Sequence, residues 1–250
     1  MLLEGKVALI TGSVRGTGEG IARRFAAEGA AIVLNQVRDE GDPSRVLADL
    51  QAMGARAICV HADVTDSTAV TRMVQEAENS LGPVDILVNN YAAAVPRQRF
   101  EESTWESWQE QIDYTVKAAY HCCQAVLPRM RERRWGRIVS VNTVGIHQPR
   151  LTYHGYTSAK TAMLGFTRNL ALEVGPDNIT VNIVSPGLTL TREVQARFSE
   201  SERQRHLERI PLRRIGTVED TANVALFLAS DLASFVTGHY IPVCGGQVML

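Results

Sequence analysis

Short apolar runs rich in β-branched side chains alternate along this chain with longer stretches in which apolar residues recur every three or four positions. KVALIT (6–11), AAIVLN (30–35), RAICVHAD (56–63), VDILVNN (84–90), GRIVSVN (136–142) and ITVNIVSPG (179–187) are nearly continuous in hydrophobicity. Such runs predict strands covered on both faces, as in a parallel sheet. YIPVCGG (240–246) offers a seventh. Between them, Val46, Leu47, Leu50 and Met53 keep helical spacing, as do Val70, Met73, Val74, Ala77 and Leu81, and later Val218, Ala222, Ala225 and Leu228. Strand–helix alternation predicts βαβ crossovers and an α/β fold, a doubly wound parallel sheet of about seven strands with helices on both faces. No linker or internal repeat interrupts it, so residues 1–250 are expected to form one domain. The 191–214 segment is charged and lacks a strand pattern. A long excursion after a strand C-end is expected to cover a ligand.

Composition narrows the function. Lys plus Arg number 26 against 27 Asp plus Glu, so no strong field favours nucleic acid or an acidic membrane. The four cysteines (Cys59, Cys122, Cys123, Cys244) form no CxxC pair, and no metal site is expected. No apolar run spans a bilayer. The N-terminal MLLEGKVALITG carries charge early and lacks a small-residue cleavage site, so a cytoplasmic protein is expected.

The chemistry starts at TGSVRGTG (11–18), directly after the first strand, with a helix opening at about Thr17. Gly12, Gly16 and Gly18 let the backbone turn tightly and approach a diphosphate, to which a helix N-terminus offers free N–H groups and a positive dipole end. Farther on, Tyr156 lies four residues before Lys160, one face of a helix. A neighbouring ammonium favours tyrosinate, so the pair is expected to lower the phenol pKa. Gly155 and the loop containing Pro149 place Tyr153 before that helix.

These residues carry a resemblance. From KVALITG through Asn89–Asn90, Tyr156-x-x-x-Lys160, SPG (185–187) and IPLRRIGTVED (210–220) to the final VTG…GG, the chain resembles the short-chain dehydrogenase/reductase family over nearly its whole length. The 3-oxoacyl-carrier-protein reductase-like branch is nearest. The resemblance implies a Rossmann-type fold, a homotetramer, and hydride transfer between a nicotinamide and a small carbonyl or secondary alcohol. It implies Tyr156 as acid–base, Lys160 as its partner and ribose ligand, and Thr143 in place of the usual serine. Thr115 stands where an asparagine usually holds a relay water. Cofactor contacts fall on Gly12, Arg15, Gly16, Thr17, Gly18, Asn35, Arg38, Asp63, Val64, Asn89, Tyr91, Pro186, Gly187, Thr189 and Thr191. Tyr91 and Ala92 replace the alanine and glycine of the usual NNAG. With Arg15 and Arg38 present and no acid directly after the second strand, NADP(H) is expected over NAD(H). Acyl-carrier protein as a partner needs a basic docking patch, for which RMRERRWGR (129–137) is the candidate. The alternative is a family member that binds the dinucleotide without efficient turnover, serving as a sensor or scaffold.

Overall fold

A computed structural model describes residues 1–191 and 199–250 of the chain. Seven parallel strands form one sheet in the order β3-β2-β1-β4-β5-β6-β7. They are β1 (Val7–Ile10), β2 (Ala31–Gln36), β3 (Ala57–His61), β4 (Ile86–Asn89), β5 (Gly136–Val141), β6 (Ile179–Pro186) and β7 (Tyr240–Val243). The apolar runs located all seven, most with ends that overran the hydrogen-bonded ladders by a residue or more, while AAIVLN stopped one short of Gln36. Chain order reverses between β1 and β4, which pair directly (Leu9 with Leu87). Loops leaving those two strands diverge, and the crevice between them opens at the strand C-ends.

Each face of the sheet is covered. The helices α1 (Gly16–Ala26), α2 (Pro43–Ala52) and α8 (Val218–Ala229) bury Ile21, Phe25, Val46, Leu50 and Ala225 against one side. Residues of α3 (Ser67–Leu81), α5 (Ala118–Arg133) and α6 (His154–Val174) cover the other. Local chemistry fixes the helix starts. Asp42 accepts from Arg45 N–H at the head of α2, with Pro43 in the first turn, and Asp66 accepts from Thr68 and Ala69 N–H at the head of α3. Such caps contribute typically about 1 kcal/mol each. A further helix, α7 (Glu200–Glu208), precedes α8.

Two departures bear on the site. The helix before β5 is not continuous. It runs as α4 (Trp105–Ile112), a π-helical turn (Asp113–Lys117) and then α5. The widened turn carries Thr115, which is buried, and such bulges re-aim side chains within a helix. Second, the 129–137 run is not a free basic patch. It lies at the end of α5 and the start of β5, the sheet edge opposite the strand C-ends. Arg129 pairs with Glu132 at 2.8 Å, Arg131 with Glu173 at 2.7 Å, and wholly buried Arg137 with Asp231 at 3.0 Å. Its charge is answered within the chain, on the wrong side for docking at the crevice.

Candidate active site

The glycine loop joins β1 to α1 at the crevice. Gly12 has φ +60, and a side chain there would meet the Tyr91 ring 2.7 Å away. Gly18 is required for a different reason. Asn90 donates to the carbonyls of Thr11 and Gly12 (2.8 and 3.0 Å), and a Cβ on Gly18 would lie 2.5 Å from that amide nitrogen. Among the described residues no side chain caps the α1 N-terminus, which leaves its first N–H groups for a ligand. Among the described residues, a Cβ on Gly16 would meet Thr191 Cγ2 alone, at 3.9 Å. Next to it lies a cleft of about 540 Å³ lined by Arg15, Thr17, Arg38, Glu40 and Tyr91, among others. An uncapped helix end over an open glycine backbone is a cradle that fits a dinucleotide diphosphate.

The expected cofactor residues divide. Thr17, Asp63, Asn89, Tyr91, Pro186, Gly187, Thr189 and Thr191 all keep partial exposure near the strand C-ends. Two do not face the cleft. Asn35 is fully buried, and its amide donates to the Val60 and Ala62 carbonyls while its Oδ1 accepts from Gly12 N–H. It braces the glycine loop from beneath. Val64 is likewise fully buried in the core. Asp63 accepts from Thr65 N–H and O–H, both at 2.8 Å, and from the Tyr114 hydroxyl at 3.0 Å. Burial raises its carboxyl pKa, but those hydrogen bonds and Arg38 outweigh burial and hold it below the usual range. The cap of α3 is Asp66. Ala92 carries no positive φ, so replacing the glycine leaves no backbone strain there.

The polar centre lies where β5 ends. Thr143 follows the strand, and its Oγ1 accepts from Gly145 N–H at 3.0 Å. That bond occupies an acceptor position and leaves the hydroxyl proton available to a ligand. Asn142 donates to the Lys160 carbonyl at 2.9 Å and so ties α6 to β5. Tyr156 and Lys160 share a face of α6. Tyr153 immediately precedes that helix, its ring 6.0 Å from that of Tyr156 in an edge-to-face pair. Lys160 is 4% exposed and donates to the Val141 carbonyl at 2.8 Å. Thr115, Ser140 and Lys160 line a small cavity of about 10 Å³, about the room one water takes. Ser140 Oγ is buried there without a hydrogen-bond partner among the described residues. Ser140 therefore belongs to the polar lining behind Lys160 as well as to the strand.

The electrostatics overturn one expectation. The Lys160 ammonium does not acidify Tyr156 in the free protein. Burial pushes the Tyr156 phenol up to about 12, with the Thr143 side chain opposing, and burial pushes Lys160 down to about 8. Nζ stands 6.0 Å from the Tyr156 ring centroid and is turned to Val141. Removing either charge from water costs more than their mutual attraction returns.

One contributor escaped sequence reasoning. Tyr240 on β7 donates its hydroxyl to the Thr143 carbonyl at 3.0 Å and accepts from Ser185 Oγ at 2.6 Å. It pins the turn that carries Thr143. Only the pairing of β7 with β6 brings it there, and no local pattern encodes that neighbour.

The family described as Enoyl-(Acyl carrier protein) reductase matches residues 12–247. The 3-oxoacyl-(acyl-carrier-protein) reductase FabG of Aquifex aeolicus is 35% identical, covering 98% of this chain and 98% of its own. Dehydrogenase/reductase SDR family member 4 of Sus scrofa is 38% identical over 98% of this chain and 88% of its own. The solved structure of 7 alpha-hydroxysteroid dehydrogenase complexed with NADH and 7-oxo glycochenodeoxycholic acid shares 32% identity at a TM-score of 0.92, covering 99% of this chain and 96% of that one. Blue fluorescent protein from a metagenomic library, in complex with NADPH, shares 33% at 0.91 over 100% of both chains.

Proposed function

The chain belongs to the short-chain dehydrogenase/reductase family of nicotinamide-dependent oxidoreductases, and on that premise we propose that it interconverts a small ketone and its secondary alcohol with NADP(H) preferred. The observation that carries this reading is the convergence of Thr143, Tyr156 and Lys160 at the C-end of β5, beside an uncapped helix end. Gly12, Gly16, Thr17, Gly18 and the α1 N-terminus would hold the diphosphate. Arg15 and Arg38 would meet a 2′-phosphate. Asp63, Asn89 and Tyr91 would bound the adenosine end, while Pro186, Gly187, Thr189 and Thr191 would bound the nicotinamide end. The bound nicotinamide supplies or receives the hydride.

The chain's own groups manage the oxygen and its proton. Thr143 donates a hydrogen bond to the carbonyl oxygen, keeping its proton, and orients it. Tyr156 delivers a proton to that oxygen as negative charge grows on it. Lys160 fixes the ribose. Thr115 and Ser140 bound the water-sized space behind Lys160, through which the proton on Tyr156 is replaced. Of the 191–214 segment expected to cover the substrate, residues 192–198 lie outside the described residues, and the covering role is proposed for 199–214. An apolar ketone suits the neighbouring Tyr153, Leu188, Leu190 and Val95. The arginine pairing described above removes the main argument for an acyl-carrier partner. A homotetramer would cover the exposed Tyr120 and Leu172 of α5 and α6 and the exposed Phe235 before β7. Light scattering tests that assembly. Four free thiols and no described helix long and apolar enough to cross a membrane fit the cytoplasm.

A panel of ketones and alcohols followed by NADPH absorbance, beside a dinucleotide titration, tests the reading. Binding without turnover on every substrate would favour the alternative, a sensor or scaffold. Thr143 supplies a sharper test. Thr143→Ser keeps the donor and the acceptor for Gly145 N–H, and its turnover is expected within about threefold of the parent. Thr143→Val removes both, and kcat is expected to fall by roughly 10²-fold, the lower part of the range for one lost transition-state donor. Equal turnover in the two variants would remove Thr143 from the reaction.

A further inference from the structure

The far end of the cleft holds a cluster of charges that nearly cancel, and it bears on how the adenosine ribose is read. Arg15 pairs with Glu40, and Arg38 pairs with Glu110 of α4 at 2.7 Å. The Arg38 guanidinium also lies 4.8 Å above the Tyr114 ring, whose hydroxyl is held by Asp63. Arg38 is thus positioned from outside the cleft. Arg15 is held by a carboxylate that itself lines the cleft with both arginines.

The route that brings Glu40 there is visible in the backbone. Gly41 has φ +81, and a Cβ on it would meet the Val14 carbonyl 2.9 Å away. Lacking one, the 38–42 loop settles directly onto the glycine loop. Glu40 N–H donates back to the Arg38 carbonyl at 2.6 Å, and the carboxylate reaches Arg15. The Arg15 and Glu40 side chains are 49% and 40% exposed, so their pairing is weak and exchangeable.

We propose that Glu40 is a specificity-determining residue: it is a built-in counter-ion that occupies Arg15 and competes with the 2′-phosphate of NADP(H), keeping the preference over NAD(H) small. This rests on the dinucleotide reading above. A phosphate must displace Glu40 from Arg15 and sit beside its charge, whereas a ribose hydroxyl leaves the pair in place. Glu40 stands four residues beyond β2, outside the position directly after the strand where a discriminating acid was sought in the sequence.

The test is a double-mutant cycle read by binding. Dissociation constants for NADPH and NADH are measured by fluorescence titration on the full chain, Glu40→Gln, Arg15→Gln and the double variant. Glu40→Gln is expected to raise the ratio of NADPH to NADH affinity by about two- to fivefold, the scale of one exposed ion pair. The gain should vanish in the Arg15→Gln background. An unchanged ratio in Glu40→Gln overturns the proposal. So does an equal gain with and without Arg15, which would make Glu40 a diffuse charge and not a competitor. The ratio is insensitive to a general loss of folding, which weakens both nucleotides together. If the unaltered chain binds neither dinucleotide, the parent reading fails first, and that outcome is distinct from the other two.

Discussion

Tyr156→Phe is expected to lower kcat for carbonyl reduction by about 10²–10⁴-fold, the usual contribution of a positioned proton donor, while the dinucleotide dissociation constant stays within about twofold. The substitution removes one oxygen and keeps the ring, so the edge-to-face contact with Tyr153 survives. Burial holds the phenol near 12, so in the free protein it is protonated throughout the neutral range. A protonated phenol is ready to give a proton to a reduced carbonyl and unready to take one from an alcohol. Reduction should therefore be nearly independent of pH between about 5 and 7, and should fall as Lys160 loses its proton around pH 8. Oxidation should accelerate as pH rises, because the deprotonated fraction grows roughly tenfold per unit below the pKa. Steady-state rates in both directions against pH, with a nucleotide titration of the variant, check this. A variant retaining more than about a tenth of parental turnover would mean that the proton comes from elsewhere.

Much of the site was readable because its parts are close in sequence. The glycine loop follows β1 and opens α1 within eight residues, and the Tyr156–Lys160 pair occupies one helical turn. Local backbone brings each set together, and tertiary bonds from Asn35, Asn90 and Val141 then fix it. What the sequence withheld depends on tertiary neighbours. Tyr240 meets Thr143 across 97 positions, and Arg38 meets Glu110 across 72. Asn35 was misassigned for a subtler reason. Adjacent strand residues face opposite sides, and the fully buried Asn35 is followed by the partly exposed Gln36. The buried residue turns to the glycine loop instead of the cleft. The sign of the Tyr156 shift was missed because spacing reports proximity and not desolvation. The 4% exposure of Lys160 becomes visible only once β5, α5 and α6 close around it.

That enclosure leads to the second large effect, in which one substitution moves activity and stability in opposite directions. Lys160→Met is expected to abolish most turnover, because the proposed ribose contact and the ammonium behind Tyr156 are both lost. It should also stabilise the protein at pH 7. The folded-state pKa of Lys160 is near 8 against an ordinary 10.5. A depression of that size corresponds to about 3 kcal/mol of cost for holding the charge in the folded state. Below pH 8 both folded and unfolded chains carry the proton, and the folded state bears the whole cost. Between about 8 and 10.5 the folded chain releases the proton while the unfolded chain keeps it, so parental stability rises with pH; above 10.5 the cost is gone. Methionine fills a similar volume without the charge but leaves the Val141 carbonyl without its donor, a loss of about 1 kcal/mol. The net gain at pH 7 is then about 2 kcal/mol, or roughly 4–8 °C in melting temperature for a chain of this size. It should shrink towards zero, or change sign, as pH approaches 10.5. Melting curves of parent and variant at pH 7 and pH 10 decide the matter. A variant that melts lower at pH 7, or a difference that ignores pH, would show that Lys160 is charged at little cost and that its burial does not set its chemistry.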